Sequence, residues 1–160
     1  MSMKKNDEHF MLLAIKEARK NLKTMEGGPF GACIVKRGRV LAVARNTVLK
    51  NDATCHAEIN AIRKASKLAG SFDLSNCVMY TTTEPCPMCF AAIHWARIGK
   101  IVYGTNIADA SKIGFNEFKV SSARLKSLGK SSICLKRSSL LKECRQLFSD
   151  WHRLPHKQLY

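Results

Sequence analysis

Apolar residues recur along the first part of the chain at near-3.6 spacing, in two sets. One is Phe10, Leu13 and Ala14 with Glu17; the other, the better apolar stripe, is Met11, Ile15, Ala18 and Leu22. This pattern predicts a first helix capped by Asn6 or Asp7, running to about Lys23 and ended by Gly27-Gly28-Pro29. Continuous apolar runs follow. Phe30 to Val35 and Val40 to Ala44 read as buried strands joined by the tight turn Lys36-Arg37-Gly38-Arg39, a hairpin. After a polar loop, Asn46 to Thr54, a helix is expected from about His56 to Leu68, with Ala57, Ile59, Ala61, Ile62 and Ala65 on its apolar side and Gly70 as its stop.

The second half continues the alternation. Val78 to Thr83 reads as a third strand, a helix begins near Cys86 and continues through Trp95, and Lys100 to Gly104 is a fourth strand. Strand, helix, strand, helix, strand calls for right-handed crossovers and parallel pairing beside the opening hairpin. Beyond it, short helices are expected at Ala108 to Ile113 and Ser121 to Leu128, a fifth strand at Ser132 to Leu135, and a final helix from Leu140 to Trp151. The fold class is therefore α/β, three layers, with a mixed five-stranded sheet between helices.

Composition narrows the setting. The 160 residues fit one domain, 1–160, large enough to bury a core without disulfide staples. The patch Met11-Leu12-Leu13-Ala14-Ile15 is too interrupted for a signal peptide, and no apolar run reaches membrane-spanning length. A cytoplasmic location is expected. The seven cysteines suit it; Cys33, Cys55, Cys77, Cys134 and Cys144 lie in no motif and read as small buried hydrophobes. The formal charge of +15 is concentrated late, where Lys119, Arg124, Lys126, Lys130, Lys136, Arg137, Lys142 and Arg145 meet only Glu143. Such a stretch suits RNA or phosphorylated metabolites, and equally a solvated basic face.

Two short segments carry chemistry: His56-Ala57-Glu58 and Pro85-Cys86-Pro87-Met88-Cys89. Either alone is weak, since a lone C-x-x-C is also a redox pair or half of a structural zinc site. In this order they match the H-x-E…P-C-x-x-C signature of zinc-dependent nucleobase and nucleoside deaminases. The spacing makes physical sense. Cys86 and Cys89 at i, i+3 in a first helical turn share one face, and the helix N-terminus favours their thiolates. Pro87 suits that turn, where a missing N–H is no loss. His56 would come from the start of the preceding helix, across the parallel sheet. Three protein ligands leave one position of a tetrahedral Zn2+ site, one ion per subunit, for a catalytic water. Glu58 is expected to stay off the metal, take the water's proton, and deliver protons to the ring nitrogen and the departing ammonia.

A wider set of segments resembles the bacterial guanine deaminases of the cytidine deaminase superfamily. They are Gly27-Gly28-Pro29-Phe30-Gly31-Ala32, Ala44-Arg45-Asn46, Cys55 to Glu58, Glu84 to Cys89, Ala92 to Arg97, and Ile113-Gly114-Phe115. The similarity runs from about Phe10 to Phe118, and Tyr160 also matches. The resemblance implies the cytidine deaminase-like fold, conversion of guanine to xanthine, and a homodimer whose segment from about 119 to 160 is exchanged between subunits. It further implies that Phe30 and Trp95 sandwich the purine, Asn46 reads its edge, and Glu117 binds its amino and N–H side. Tyr160 would close the partner's pocket, and Ala57 belongs with these substrate contacts. One departure stands out: the family commonly has Gly-Phe-Asp-Asp where this chain has Gly114-Phe115-Asn116-Glu117. A carboxylate survives one methylene longer, so a guanine-type donor pair is still readable.

Competing readings remain open at this level. Ala96 to Gly104 and Glu143 to Asp150 resemble the tRNA-specific adenosine deaminases, although those enzymes usually carry a Val-Pro-Val-Gly-type segment where this chain has Gly28-Pro29-Phe30-Gly31. A guanosine or cytosine deaminase of the same fold is a further alternative. A catalytically silent zinc protein that binds nucleic acid is an alternative of another kind; Glu58 argues against it, because a purely structural zinc site needs no proton shuttle.

Overall fold

The computed structural model describes residues 3–160, with side chains from Asn6 onward; Met1 and Ser2 lie outside the described residues. The elements are α1 (Met3–Arg19), α2 (Asn21–Thr24), β1 (Gly31–Lys36), β2 (Arg39–Arg45), α3 (Ala57–Ala69), β3 (Cys77–Thr83), α4 (Pro87–Trp95), β4 (Lys100–Thr105), α5 (Ile107–Lys112), α6 (Ser122–Leu128), β5 (Cys134–Arg137) and α7 (Leu141–His152). The five strands form one mixed sheet in the order β2-β1-β3-β4-β5. The β1–β2 and β1–β3 pairs are antiparallel; β3–β4 and β4–β5 are parallel.

Alternation along the strands builds three layers. Ala32 and Ile34 of β1, Met79 of β3 and Ile101 of β4 face Ala57, Ala61 and Ala65 of α3 and Phe90 and Ile93 of α4. The intervening Cys33, Val35, Tyr80 and Val102 face Met11, Ala14, Ile15 and Ala18 of α1 and Cys144 and Leu147 of α7. Side chains two apart on a strand share a face, so each central strand feeds both cores. Against β4 the α7 contact is close: Cys144 and the Thr82 carbonyl occupy the space a side chain at Gly104 would need.

Several boundaries differ from the pattern. The first helix starts by Met3, so neither Asn6 nor Asp7 caps it. Asp7 instead accepts from the Tyr80 hydroxyl at 2.7 Å and from Lys136 Nζ at 2.6 Å, tying α1 to β3 and β5. Both apolar sets are used: Phe10 and Ala14 are buried beside Met11, Ile15 and Ala18, because α1 packs into the angle between the sheet and α7. The helix breaks at Lys20 before α2. The fifth strand sits two residues later than expected, since its pairing with β4 begins at Lys100 opposite Cys134. Gly70 ends α3 with a left-handed backbone (φ 62), as its position predicts.

Candidate metal centre and pocket

The site lies beyond the C-terminal ends of the parallel strands, where α3 and α4 begin. His56 and Cys86 occupy equivalent places: each is the extended residue immediately before its helix, with φ/ψ of −64/158 and −65/167. Glu58 follows in the first turn of α3, and Cys89 in the first turn of α4. Both helices pack on one face of the sheet. The ligands therefore meet side by side on that face and not across the sheet, as the spacing alone had suggested.

One nitrogen of His56 and the sulfurs of Cys86 and Cys89 all lie within 4.8 Å of one another. The His56 Nδ1–Cys86 Sγ distance is 3.7 Å. A tetrahedral zinc with ordinary Zn–N and Zn–S bonds separates such a pair by about 3.6 Å, so the residues fit the ion. Electrostatics agree. A hydrogen bond from Cys89 brings the Cys86 thiol down to about 4 against the opposing effect of burial, and His56 helps. Cys89, hydrogen-bonded to Cys86 and fully buried, is pushed up. The pair thus favours one thiolate, at Cys86, beside His56, a donor set suited to a soft cation.

Glu58 is 6 % exposed and lies outside the ligand set. Its Oε1 accepts from Thr81 Oγ1 at 2.8 Å, and its Oε2 lies 3.6 Å from Cys89 Sγ. Burial raises its pKa, which suits a carboxyl that must both take up and return a proton near neutral pH.

The cavity beside this centre has a volume of about 280 Å3, and its lining includes Phe30, Asn46, Glu58, Phe115, Glu117 and Tyr160. Tyr160 closes it. Its hydroxyl accepts from the Gly28 N–H at 2.9 Å, its carbonyl accepts from the Asn116 N–H at 2.9 Å, and its ring meets Phe115 edge-on with centroids 5.4 Å apart. Phe115 in turn meets Phe30 edge-on at 4.9 Å. Burial, and then the charge of Cys86, push Glu117 up to about 7.

Of the residues expected to touch substrate, Phe30, Asn46, Glu117 and Tyr160 line this one cavity. Ala57 does not; its side chain is fully buried in the core. Trp95 does not either. It lies nine positions beyond Cys86, about two and a half helical turns, and so points away from the metal side of α4 with 75 % of its surface exposed. Tyr160 lines the cavity of its own chain. Spacing also leaves out Thr81, which orients Glu58, and Phe115, which meets the Tyr160 ring edge-on. Thr81 had a faint signal, a polar residue on the helix-facing side of a buried strand.

Glu84 fixes the approach to Cys86. Its two oxygens accept from the Ile107 N–H at 3.3 Å and the Ser122 N–H at 2.9 Å, pinning the starts of α5 and α6 to the metal loop.

Residues 4–105 match the cytidine and deoxycytidylate deaminase zinc-binding region. The chain is 45% identical over 113 residues to the guanine deaminase of Bacillus subtilis (strain 168), covering 70% of this chain and 72% of that protein. It is 32% identical over 155 residues to the tRNA-specific adenosine deaminase of Buchnera aphidicola subsp. Schizaphis graminum, covering 94% and 97%. A crystal structure of NE0047 in complex with 2,6-diaminopurine superposes with a TM-score of 0.84 at 27% identity, covering 96% of this chain and 85% of that one. Fold, donor set and sequence agree: the chain belongs to the cytidine and deoxycytidylate deaminase family and is a zinc-binding aminohydrolase.

Proposed function

We propose that this protein deaminates a free purine base, converting guanine and water to xanthine and ammonia. The observation that carries the reading is the cavity in which Phe30, Asn46, Glu117 and Tyr160 converge beside Glu58. At about 280 Å3 it lies just below the ~300 Å3 at which drug-sized sites begin, the scale of a single base. The similarity to the Bacillus guanine deaminase, and to a structure holding a purine, points the same way.

His56, Cys86 and Cys89 would hold the zinc, which when bound acidifies a water toward neutral pH. Glu58, held by Thr81, would take a proton from the attacking water and pass protons to the ring nitrogen and the leaving amino group. Glu117, as a carboxylate, accepts from the amino and N–H edge of guanine, the Asn46 amide meets another edge, and Phe30 covers the ring. Tyr160 excludes bulk water, which strengthens each of these polar contacts.

The active unit in this proposal is a homodimer. Support comes from α4, whose Met88, Ala91, Ala92 and Trp95 form a stripe at i, i+3, i+4, i+7 that ranges from half-buried to exposed, on a helix otherwise apolar. In an exchanged dimer the segment 119–160 of one subunit would supply the Tyr160 that here seals its own chain. All seven cysteines are free, which suits the reducing cytoplasm. No described helix is long and apolar enough to cross a membrane.

A second reading, deamination of adenosine in tRNA, is favoured by the near full-length similarity to the Buchnera enzyme and by the +15 charge. Presenting guanine, guanosine, adenosine, cytosine and a tRNA anticodon stem-loop to the zinc-loaded protein, and measuring ammonia and inosine, separates the two. Ammonia from guanine alone is expected; inosine in the stem-loop without turnover of guanine overturns the proposal.

A further inference from the structure

Asn21 is fully buried, at the first position of α2, and does not line the cavity. Its Nδ2 donates to the Gly28 carbonyl at 2.8 Å and to the Asn46 carbonyl at 2.7 Å, while its Oδ1 accepts from Thr24 Oγ1 at 3.1 Å. An amide has two N–H donors, and both are spent on backbone carbonyls of two separate pocket segments. Neither segment is incidental. Gly28 presents its N–H to the Tyr160 hydroxyl at 2.9 Å, and its carbonyl also accepts from the Phe30 N–H at 2.8 Å. The Asn46 N–H donates to the Phe30 carbonyl at 3.0 Å, and the Asn46 Oδ1 accepts from the Val48 N–H at 3.0 Å. The two segments press so closely that a side chain at Gly27 would collide with Asn46.

We propose that Asn21 is a positioning residue for substrate recognition. It clamps the Gly27-Gly28 loop to the end of β2, and so sets where the Asn46 amide, the Phe30 ring and the Tyr160 hydroxyl stand relative to one another. The inference rests on the reading of those three as substrate contacts. Its chemistry follows from the count of donors. Asn21→Asp keeps the shape but removes both donors and sets a carboxylate against two carbonyls. Asn21→Ser keeps a single donor that cannot reach both. Either change frees Gly28 and Asn46 to drift apart, while His56, Glu58, Cys86 and Cys89, on other elements, keep their places. The expected signature is a loss of binding and not of chemistry, since a loosened first layer acts on substrate orientation.

The test measures zinc per chain, guanine kcat and KM, and amide exchange at Gly28 in wild type, Asn21→Ser, Asn21→Asp, Tyr160→Phe and the Asn21→Ser/Tyr160→Phe double variant. Expected are unchanged zinc content, a KM raised roughly 10- to 100-fold with kcat within about threefold, and faster exchange at Gly28 than at the β3 amides. Tyr160→Phe should cost distinctly less in the Asn21→Ser background than in wild type, because both act through one linkage. An unchanged KM, or penalties that simply multiply, overturns the inference. If wild type releases no ammonia from guanine, the functional reading fails by itself. Gly28 exchange still decides the clamp: equal exchange in both Asn21 variants and wild type refutes it.

Discussion

Glu58 shows how one side chain is prepared for two opposite tasks. Burial raises its pKa, the Thr81 hydroxyl fixes one oxygen, and the other lies beside Cys89 on the metal side. Glu58→Gln preserves shape and the Thr81 contact but not the proton traffic. Metal analysis should find zinc retained, while ammonia release falls by at least the 10²- to 10⁴-fold typical of a lost general acid–base; unchanged turnover would sink the proposed role. Glu117 makes a different prediction. Burial and the charge of Cys86 raise it to about 7, so it is largely neutral in mild acid. The sign for stability follows: the folded state binds a proton that the unfolded chain has already released, and the stability this contributes at low pH is lost as pH rises through 7. Recognition runs the other way, because only the carboxylate accepts from both guanine donors. The guanine KM should fall as pH rises through about 7, and Glu117→Gln should flatten that dependence in steady-state assays.

At the level of elements, α4 carries two faces with two fates. One begins with Cys86 and Cys89 and is committed to the metal; the other, through Met88 and Trp95, stays exposed among the described residues. If the proposed dimer forms through α4, Trp95→Asp should leave zinc and fold intact and shift the protein toward monomer by light scattering; a dimer as tight as wild type would remove α4 from that interface. Elements were also what the sequence disclosed best. The hairpin, α3, β3, α4 and β4 were legible because each carries a strong apolar run or stripe bounded by a Gly or Pro, and the Cys86–Cys89 pair because its i, i+3 spacing is itself the geometry. The start of α1 and the place of β5 were not legible. Asp7 has the chemistry of a cap but is spent on Tyr80 and Lys136, and β5 takes its register from β4, a partner distant in sequence. Trp95 lies outside the cavity of its own chain for a similar reason: a resemblance names a residue, but the helical angle decides which side it faces. Asn21 was invisible, since nothing local marks an amide whose partners lie 7 and 25 residues away.

For the whole molecule, charge is the quantity that separates the candidate substrates. A polyanion held through several phosphates would lose orders of magnitude in affinity between 50 and 200 mM salt, whereas a base enclosed with Glu117 and Asn46 has little counterion to release. Guanine KM should change less than about twofold across that range. A steep fall in activity on any substrate would favour RNA.

The order of the sheet gives part of that charge another use. β5 is an outer strand of only four residues, Cys134–Arg137, with one side open to a neighbour. Two of its four side chains are cationic. Lys136 is paired with Asp7, and the Arg137 guanidinium lies 5.1 Å from the centre of the Tyr103 ring. A short border strand that places cations along its rim discourages another chain from adding to the sheet there. Two of the positive charges in the basic tail can thus be assigned to keeping copies of the protein from zipping together edge to edge.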